Sequence, residues 1–452
     1  MRWRSPQPVA SWDGVRPAQR RSAACAQTAT WVAERKSEDC LYLNVWAPEN
    51  AKDLPVMVWI HGGAFTGGSG MQTSYDGANL AQHGAVVVSI NYRLGIFGFF
   101  AHPELAAESP HQASGNQGIE DQIAALQWVR DNIAAFGGDP QRVTIMGNSA
   151  GGESVNLLMA SPVAKGLFHR GIAQSGNYAM PIDPSEDAMF SRTGAEARAV
   201  TYTQAAGATH VSDLRRMSVE ALHAVPWYTV PSVDGYVLRE DLTSLYAGRR
   251  YNDVPLLVGW AADEGKDLAP ELLKTSDFTA ANYNALVTQL LGHAPSDALL
   301  AAYPAGTDAD ARASINRLTN DWWGWRMWYW ADLQAQQDGS DAYIYLFAHM
   351  PAQETPCNYG CGIGHGADVQ YIFDNLDGSK RAWTANDRKL ASQLADTWVR
   401  FATTGSPNGP DLPAWPAFDG TANTLYIVRT DDDPPAPPLP DFRLFRPSPA
   451  QK

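Results

Sequence analysis

Residues 147–152 read Gly147-Asn148-Ser149-Ala150-Gly151-Gly152, and they follow an apolar run over residues 143–146. A strand that turns sharply into a helix permits only small residues around a central serine, as in the Gly-x-Ser-x-Gly pattern. Such a turn lifts the hydroxyl clear of the sheet and directs the next backbone N–H, that of Ala150, toward the same point. The stretch therefore predicts a nucleophile elbow with Ser149 as the nucleophile; the alternative is a glycine-rich turn with an incidental serine.

Strands and helices alternate along the rest of the chain. Apolar runs of four to eight residues predict buried strands, and apolar residues at helical spacing predict helices. The first predicted strand contains Leu41, Leu43 and Val45, and the others span residues 54–60, 85–90, 143–146, 171–174, 254–259, 342–347 and 424–428. The main predicted helices span residues 116–136, 270–330 and 387–403. This alternation predicts an α/β fold with a large, mostly parallel central sheet and helices on both faces. We expect a single domain over residues 1–452, in which Pro270 to Trp330 forms a helical insertion that caps the sheet.

A glycine pair follows the predicted strand over 54–60, in His61-Gly62-Gly63-Ala64. Glycines allow backbone N–H groups to approach a reacting atom, and acyl transfer needs such donors for the oxyanion that develops. In an open α/β sheet, ligands bind at the carboxyl ends of the strands. Gly62 and Gly63 are therefore predicted to form an oxyanion hole together with Ala150.

A serine nucleophile needs a general base, and histidines late in the chain are the candidates because the expected order in this fold is serine, acid, histidine. His365 lies between glycines, downstream of the predicted strand over 342–347. His349 follows the same strand more closely and is the other late candidate. We expect His365 to be the base; the alternatives are His349, or a surface role for His365.

The acid that orients the base should lie on a strand-end loop between Ser149 and His365. Asp263 and Glu264 both follow the predicted strand over 254–259, and position alone does not separate them. Asp234 precedes a glycine, as is typical of a turn-forming aspartate.

The segment from Trp322 to Trp330 is aromatic nearly all round a predicted helix. Core packing between the insertion and the body is one interpretation, and an aromatic wall of a substrate pocket is the other.

The composition is that of a folded protein whose charge disfavours polyanions. Hydrophobic residues make up 45% of the chain, and the formal net charge is −14. This charge would repel nucleic acid and anionic membrane surfaces. No apolar stretch approaches the roughly 20 residues of a membrane-spanning helix. The first residues do not form a signal-peptide core, so we expect a processed or truncated N-terminus unless the protein is cytosolic.

The four cysteines fall into two local pairs, Cys25 with Cys40 and Cys357 with Cys361. Neither pair has the additional His or Cys of a zinc site, so two disulfides are predicted, with buried thiols as the alternative. Disulfides persist in oxidising compartments, and we therefore expect a secreted or periplasmic location.

These segments together resemble the type B carboxylesterases, the family of bacterial para-nitrobenzyl esterases, animal carboxylesterases and cholinesterases. The motifs that carry the similarity run in order over nearly the whole chain: SEDCLYLNVWAP from Ser37, HGGAF from His61, NYRLG from Asn91, GNQGIEDQIAALQWVRDNIAAFGGDP from Gly115, GNSAGG from Gly147, DEG from Asp263, HGAD from His365, and FATTGSPN from Phe401 with Trp415-Pro416. The resemblance implies the α/β-hydrolase fold and a triad of Ser149, His365 and Glu264. It also implies Gly62, Gly63 and Ala150 as the oxyanion hole, and it favours Glu264 over Asp263.

Three features depart from the family pattern. Asn148 stands where family members usually have glutamate, which we expect to change local packing rather than chemistry. The N-terminal hairpin and a Gly-Ile-Pro-Tyr-Ala stretch of the family are expected to be missing, which would expose an edge of the sheet. The placement of Cys357 and Cys361 just before His365 is not a general feature of the family.

The expected function is that of a serine esterase that hydrolyses carboxylic esters through an acyl-enzyme, with a small-molecule ester as substrate and no metal or other cofactor. Nucleic acid and a membrane span are not expected, and the oligomeric state is left open with a monomer favoured. The alternatives are a catalytically silent adhesion or recognition protein on the same fold, and a lipase or specialised aryl-ester hydrolase.

Overall fold

One long sheet forms the centre of the computed structural model, which describes residues 2–178, 190–336, 339–352, 362–378, 381–410, 413–421 and 424–446. Its strands arise where the sequence has runs of branched and aromatic residues, which fit a pleated, buried surface. The strands are β1 (Ala24–Cys25), β2 (Lys36–Ser37), β3 (Leu43–Trp46), β4 (Leu54–Ile60), β5 (Val86–Ile90), β6 (Gly138–Asn148), β7 (Arg170–Gln174), β8 (Leu256–Ala261), β9 (Ala342–Phe347) and β10 (Leu425–Val428).

Eight of these strands form the main sheet, in the order β10-β9-β8-β7-β6-β4-β5-β3. Neighbouring strands are parallel except at one edge, where β3 runs antiparallel to β5. The short strands β1 and β2 pair separately. The predicted large, mostly parallel sheet is therefore confirmed, although Leu41 lies outside β3 and is exposed.

Helices cover both faces of the sheet, as predicted. Alternate residues of β4 point to opposite faces, so Val58 belongs to one apolar core and Trp59 to the other. Leu126 and Leu158 from the helices after β5 and β6 join the first core, and Trp398 joins the second. The α-helices are α1 (Ala78–Gln82), α2 (Gly95–Gly98), α3 (Pro103–Glu108), α4 (Gln117–Asn132), α5 (Ala150–Ala160), α6 (Arg192–Ala205), α7 (Val211–Leu214), α8 (Val219–His223), α9 (Leu242–Ala247), α10 (Gly265–Leu273), α11 (Tyr283–Leu291), α12 (Asp297–Ala302), α13 (Asp308–Ala335), α14 (Val369–Ile372) and α15 (Ala385–Thr404).

The predicted helical insertion is helical, but its helices extend beyond residues 270–330 at both ends. Pro270 lies inside α10, and α13 continues to Ala335. The helix α13 packs against β8 and β9, the two strands that it connects. It thus belongs to the layer that covers the sheet, while the division into a single domain with a cap over 270–330 stays a prediction.

The parallel strands bring four loops to one edge of the sheet. Ile60 at the end of β4 pairs with Gly147, and Asn148 at the end of β6 pairs with Gln174. The next strand, β8, ends at Ala261. The residues that follow these strands therefore meet at the carboxyl edge, where an open α/β sheet binds its ligands.

The disulfide between Cys25 and Cys40 is present, which confirms one of the two predicted bridges. Cys357 and Cys361 lie outside the described residues, so their pairing stays a prediction. Near the end of the chain, a 3₁₀ turn buries Phe442 and Phe445 against the aromatic rings of α13, a contact that the proline-rich sequence did not predict.

Candidate active site

Ser149 occupies a strained turn between β6 and α5. Its φ of 57° and ψ of −127° lie in a region that non-glycine residues rarely adopt, and such strain costs about 1–3 kcal/mol. The Ser149 N–H donates to the carbonyl of Gln174 at 2.8 Å, and its carbonyl accepts from the N–H of Glu153 at 2.9 Å. Neighbouring backbone therefore holds the turn in place on both sides.

The glycines of the elbow are required by close backbone packing. A Cβ atom at Gly151 would lie 2.0 Å from the carbonyl oxygen of Ile60, and one at Gly147 would lie 2.6 Å from that same oxygen. Neither position can carry a side chain without moving β4. The small residues of the motif thus have the role that the pattern predicts for them.

His365 and Glu264 form a buried pair at the same edge of the sheet. The Nδ1 atom of His365 lies 2.6 Å from Oε2 of Glu264. The other carboxylate oxygen, Oε1, accepts from the hydroxyl of Ser175 at 2.6 Å and from the N–H of Ala261. Because the side chain of Glu264 is fully buried and held at both oxygens, it fixes the orientation of the imidazole.

The surroundings of His365 oppose one another in their effect on its pKa. Burial lowers the pKa, whereas the charge and the hydrogen bond of Glu264 raise it, and the net result is a pKa above the ordinary value. The carboxylate therefore stabilises the imidazolium that a general base must become during acyl transfer.

The elbow and the histidine loop lie against each other. A Cβ atom at Gly366 would be 3.2 Å from Oδ1 of Asn148, so the neighbours of Ser149 and His365 are in close approach. Among the described residues, no hydrogen bond joins the Ser149 hydroxyl to His365, whose Nε2 also has no other hydrogen-bond partner there. Catalytic hydrogen bonds often tighten only when substrate binds. Asn148 itself donates to the carbonyl of Gln174 at 3.3 Å.

The loop after β4 brings Gly62 to the nucleophile. A Cβ atom at Gly62 would lie 3.1 Å from the Cβ of Ser149. The following residues Gly63, Ala64 and Phe65 have φ angles of 109°, 53° and 57°. Successive residues in this region curl the backbone into a tight loop beside the start of α5, where Ala150 is buried.

His61 orients one peptide of this loop. Burial lowers the pKa of His61 to about 4, so the ring is neutral at pH 7. Its Nδ1 lies 2.8 Å from the carbonyl oxygen of Gly62 and must donate, since a carbonyl only accepts. In a trans peptide the carbonyl and the N–H point in opposite directions, so this hydrogen bond also fixes the direction of the Gly63 N–H.

The other candidates have different surroundings. Asp263 is exposed and pairs with Lys266 at 2.6 Å, so it does not orient His365. The Oδ1 atom of Asp234 accepts hydrogen bonds from the backbone N–H groups of two residues that follow it, which confirms the predicted turn.

The alternative base, His349, is buried between two carboxylates, with Nδ1 at 2.7 Å from Asp433 and Nε2 at 2.9 Å from Asp387.

Two side chains at the site were not predicted from the sequence. Ser175, with a φ of 51°, donates to Glu264 from the end of β7. Trp323 donates its ring N–H to the carbonyl of Ser175 at 2.9 Å, and its ring meets His365 edge-on at a centroid distance of 6.0 Å. Of the aromatic segment of α13, Trp330 and Trp323 both belong to the core, and Trp323 also borders the candidate site. The position of Ser175 directly after a core strand was the available signal.

The described residues contain no group of three or more His, Cys, Asp or Glu side chains that could hold a metal ion. They also contain no helix that has both the length and the apolar character to cross a membrane. The expectation of a reaction without cofactor stays a prediction.

The sheet order, the elbow and the strand-end loops define an α/β-hydrolase, and comparison with known proteins identifies the family. The model of the carboxylesterase family matches residues 1–436. Fumonisin B1 esterase of Sphingopyxis macrogoltabida is 36% identical over 93% of this chain and 79% of its own. Para-nitrobenzyl esterase of Bacillus subtilis is 34% identical over 96% and 90%, and cocaine esterase of Homo sapiens is 34% identical over 94% and 80%.

The chain belongs to the carboxylesterase family. The predicted fold, the predicted family and the predicted carboxylic ester hydrolase activity are thereby confirmed.

Proposed function

We propose that Ser149 is the nucleophile of this ester hydrolase, His365 its general base and acid, and Glu264 the carboxylate that orients the imidazole. The observation that carries the proposal is the 2.6 Å pair between His365 and Glu264, held at the sheet edge where the Ser149 elbow ends β6. Its arrangement matches the roles of a serine, histidine and acid triad.

In the first half of the reaction, the Ser149 hydroxyl attacks the ester carbonyl carbon while Nε2 of His365 takes the hydroxyl proton. The negative charge that develops on the carbonyl oxygen is stabilised by backbone N–H groups of Gly62, Gly63 and Ala150. The tetrahedral intermediate collapses as His365 returns the proton to the leaving alcohol, and an acyl-enzyme remains.

In the second half, His365 removes a proton from water, which attacks the acyl-enzyme carbonyl. The same N–H groups stabilise the second oxyanion. Protonation of the Ser149 oxygen by His365 releases the carboxylic acid and restores the enzyme. The side chain of Glu264 stabilises the imidazolium in both halves.

The proposed substrate is a small-molecule ester. The three relatives are named for fumonisin B1, a para-nitrobenzyl compound and cocaine, which shows that close relatives act on quite different molecules. A panel of aliphatic and aryl esters of increasing acyl length would place this enzyme among them. A preference for long-chain emulsified esters would favour the lipase alternative.

Ser149→Ala tests the proposal. Loss of a triad nucleophile lowers kcat by roughly 10⁶-fold while substrate binding survives. Ser314→Ala is the matched control, since Ser314 is a buried serine on α13 that bonds to the carbonyl of Pro304, and it should retain nearly full activity. Retention of more than a few per cent of activity by pure S149A, or a silent wild-type enzyme toward every ester, would contradict the proposal.

We also propose that the enzyme functions as a monomer in an oxidising compartment, secreted or periplasmic. The disulfide between Cys25 and Cys40 supports the compartment. Recovery of the native enzyme from a reducing cytosol would contradict the proposed compartment. Elution from gel filtration as a dimer would contradict the proposed monomer.

A further inference from the structure

The disulfide loop, residues 25–40, packs against the loop that follows β4, residues 61–68, which we name the oxyanion loop. Ala29 and Trp31 lie against Gly67, and the hydrogen bonds between the two loops come from Gln27, which lies two residues after Cys25 and is 6% exposed. Gln27 belongs to none of the motifs that carry the family resemblance, and the proposed reaction does not use it.

The side-chain amide of Gln27 makes two hydrogen bonds to the backbone of Gly68, one to its carbonyl and one to its N–H. Its Nε2 donates to the carbonyl of Gly68 at 2.8 Å, and its Oε1 accepts from the Gly68 N–H at 2.8 Å. The second hydrogen of Nε2 goes to the carbonyl of Cys25 at 2.9 Å. One buried side chain thus ties the oxyanion loop to the base of the disulfide.

Gly68 packs closely against His61 and Gly62 at the start of the oxyanion loop. Its φ is 117°, and a Cβ atom there would lie 2.4 Å from Nδ1 of His61 and 2.5 Å from the carbonyl oxygen of Gly62. The Nδ1 and carbonyl atoms are the two partners of the hydrogen bond that sets the Gly62–Gly63 peptide. A shift of Gly68 would therefore disturb that hydrogen bond.

The oxyanion loop needs such support because its own conformation is unfavourable. Ala64 and Phe65 both have positive φ angles, and non-glycine residues hold such angles only where surrounding structure determines them. Within the loop, the carbonyl of Gly63 accepts from the N–H groups of Thr66 and Gly67. Gln27 supplies a restraint from outside the loop, anchored by a covalent bridge.

We propose that Gln27 is a positioning residue for the oxyanion hole: through Gly68 it holds the Gly62–Gly63 peptide in the orientation that stabilises the transition state. The inference rests on the proposed function, because it assumes that Gly62 and Gly63 donate to the oxyanion. The effect should fall on the transition state and not on ground-state binding, since the ester carbonyl gains its negative charge only as the reaction proceeds.

The test compares Gln27→Met with Gln117→Met. Methionine keeps the length of the side chain and removes its hydrogen bonds. Gln117 is the matched control because it is also a buried glutamine whose amide bridges two backbone groups, the carbonyl of Trp3 and the N–H of Gly115. Each variant is assayed for kcat, KM, melting temperature and affinity for a trifluoromethyl ketone, whose adduct with a serine carries an oxyanion.

We expect Q27M to lower kcat by about 10- to 100-fold, since misplacement near 1 Å at a catalytic centre costs on the order of 10²-fold. Its KM should change less than about threefold, and its affinity for the ketone should fall by the same factor as kcat. Q117M should lower the melting temperature to a similar extent without either loss. Gln27→Asn, which keeps the neutral amide but shortens the side chain by one methylene, should fall between Q27M and wild type.

If Q27M had the same kcat and the same affinity for the ketone as Q117M, the inference would be overturned and the proposed function would stay intact. A variant that loses kcat but binds the ketone as tightly as wild type would also overturn it. Should Q27M fail to fold, Q27N decides by the same two measurements. Full activity of S149A would instead refute the proposed function, whatever the Gln27 variants do.

Discussion

Two buried histidines of this protein pair with carboxylates, and the difference between them separates a catalytic group from a structural one. His349 has a carboxylate at each ring nitrogen, from Asp433 and Asp387. His365 has Glu264 at Nδ1, and within the described part of the chain its Nε2 is without a hydrogen bond. His365 also lies at the carboxyl edge of the sheet, beside the turn that carries Ser149.

A general base needs one nitrogen held in place and the other able to accept a proton. His349 cannot meet the second requirement while both carboxylates bind it, although its sequence position after β9 made it a candidate. Its contacts instead connect the end of β9 to the start of α15 and to the segment around Asp433. Proximity to acids alone is therefore no sign of catalysis.

The largest expected effect separates the two histidines by activity. His365→Gln should lower kcat by roughly 10⁶-fold, as for loss of a triad histidine, and should lower the melting temperature less than His349→Gln, because it breaks one bond to a carboxylate and not two. His349→Gln should keep kcat within a few-fold and lower the melting temperature, because hydrogen bonds to charged groups contribute about 1.5–3 kcal/mol each. Ester turnover and thermal unfolding of both variants provide the measurement. A larger loss of kcat in H349Q than in H365Q would reverse the comparison.

A smaller effect separates the two adjacent acids. Glu264→Gln should lower kcat by roughly 10⁴-fold, since an amide no longer stabilises the imidazolium or fixes its tautomer. Asp263→Asn removes only an exposed ion pair with Lys266, for which about 0–1 kcal/mol is usual, and should leave kcat within about threefold. Equal losses from E264Q and D263N would contradict the assignment of the acid.

The sequence predicted those parts of the fold and site that depend on local pattern. The elbow could be identified because Gly147 and Gly151 face backbone that excludes side chains. The parallel order followed from alternating strands and helices, and it placed Ser149 and Gly62 at one edge. Position at the strand end did not decide whether Asp263 or Glu264 is the acid, because adjacent residues differ mainly in the direction of their side chains.

Other parts depend on contacts between distant segments, which no local pattern records. The hydroxyl of Ser175 meets Glu264 across 89 residues, and Gln27 meets Gly68 across 41. The packing of Phe445 on Trp325 joins the end of the chain to α13 in the same way. Such partners emerge only from the three-dimensional arrangement.

The most direct test of the account is the pH dependence of kcat/KM, because it reports the ionisation of the base in the free enzyme. His365 must be neutral to accept a proton, and its pKa lies above the ordinary value of about 6.5. The kcat/KM of the wild type should therefore rise with pH through an ionisation above 6.5. The profile of H349Q should be the same.

Glu153 provides the necessary control, since burial raises its pKa to about 7 and it interacts electrostatically with His365. Glu153→Gln should keep the ionisation above 6.5, whereas E264Q should lower it, because the charge of Glu264 no longer opposes the effect of burial on His365. A profile that is flat from pH 5 to 8, or one that moves in H349Q and not in E264Q, would contradict the claim that His365 oriented by Glu264 is the base.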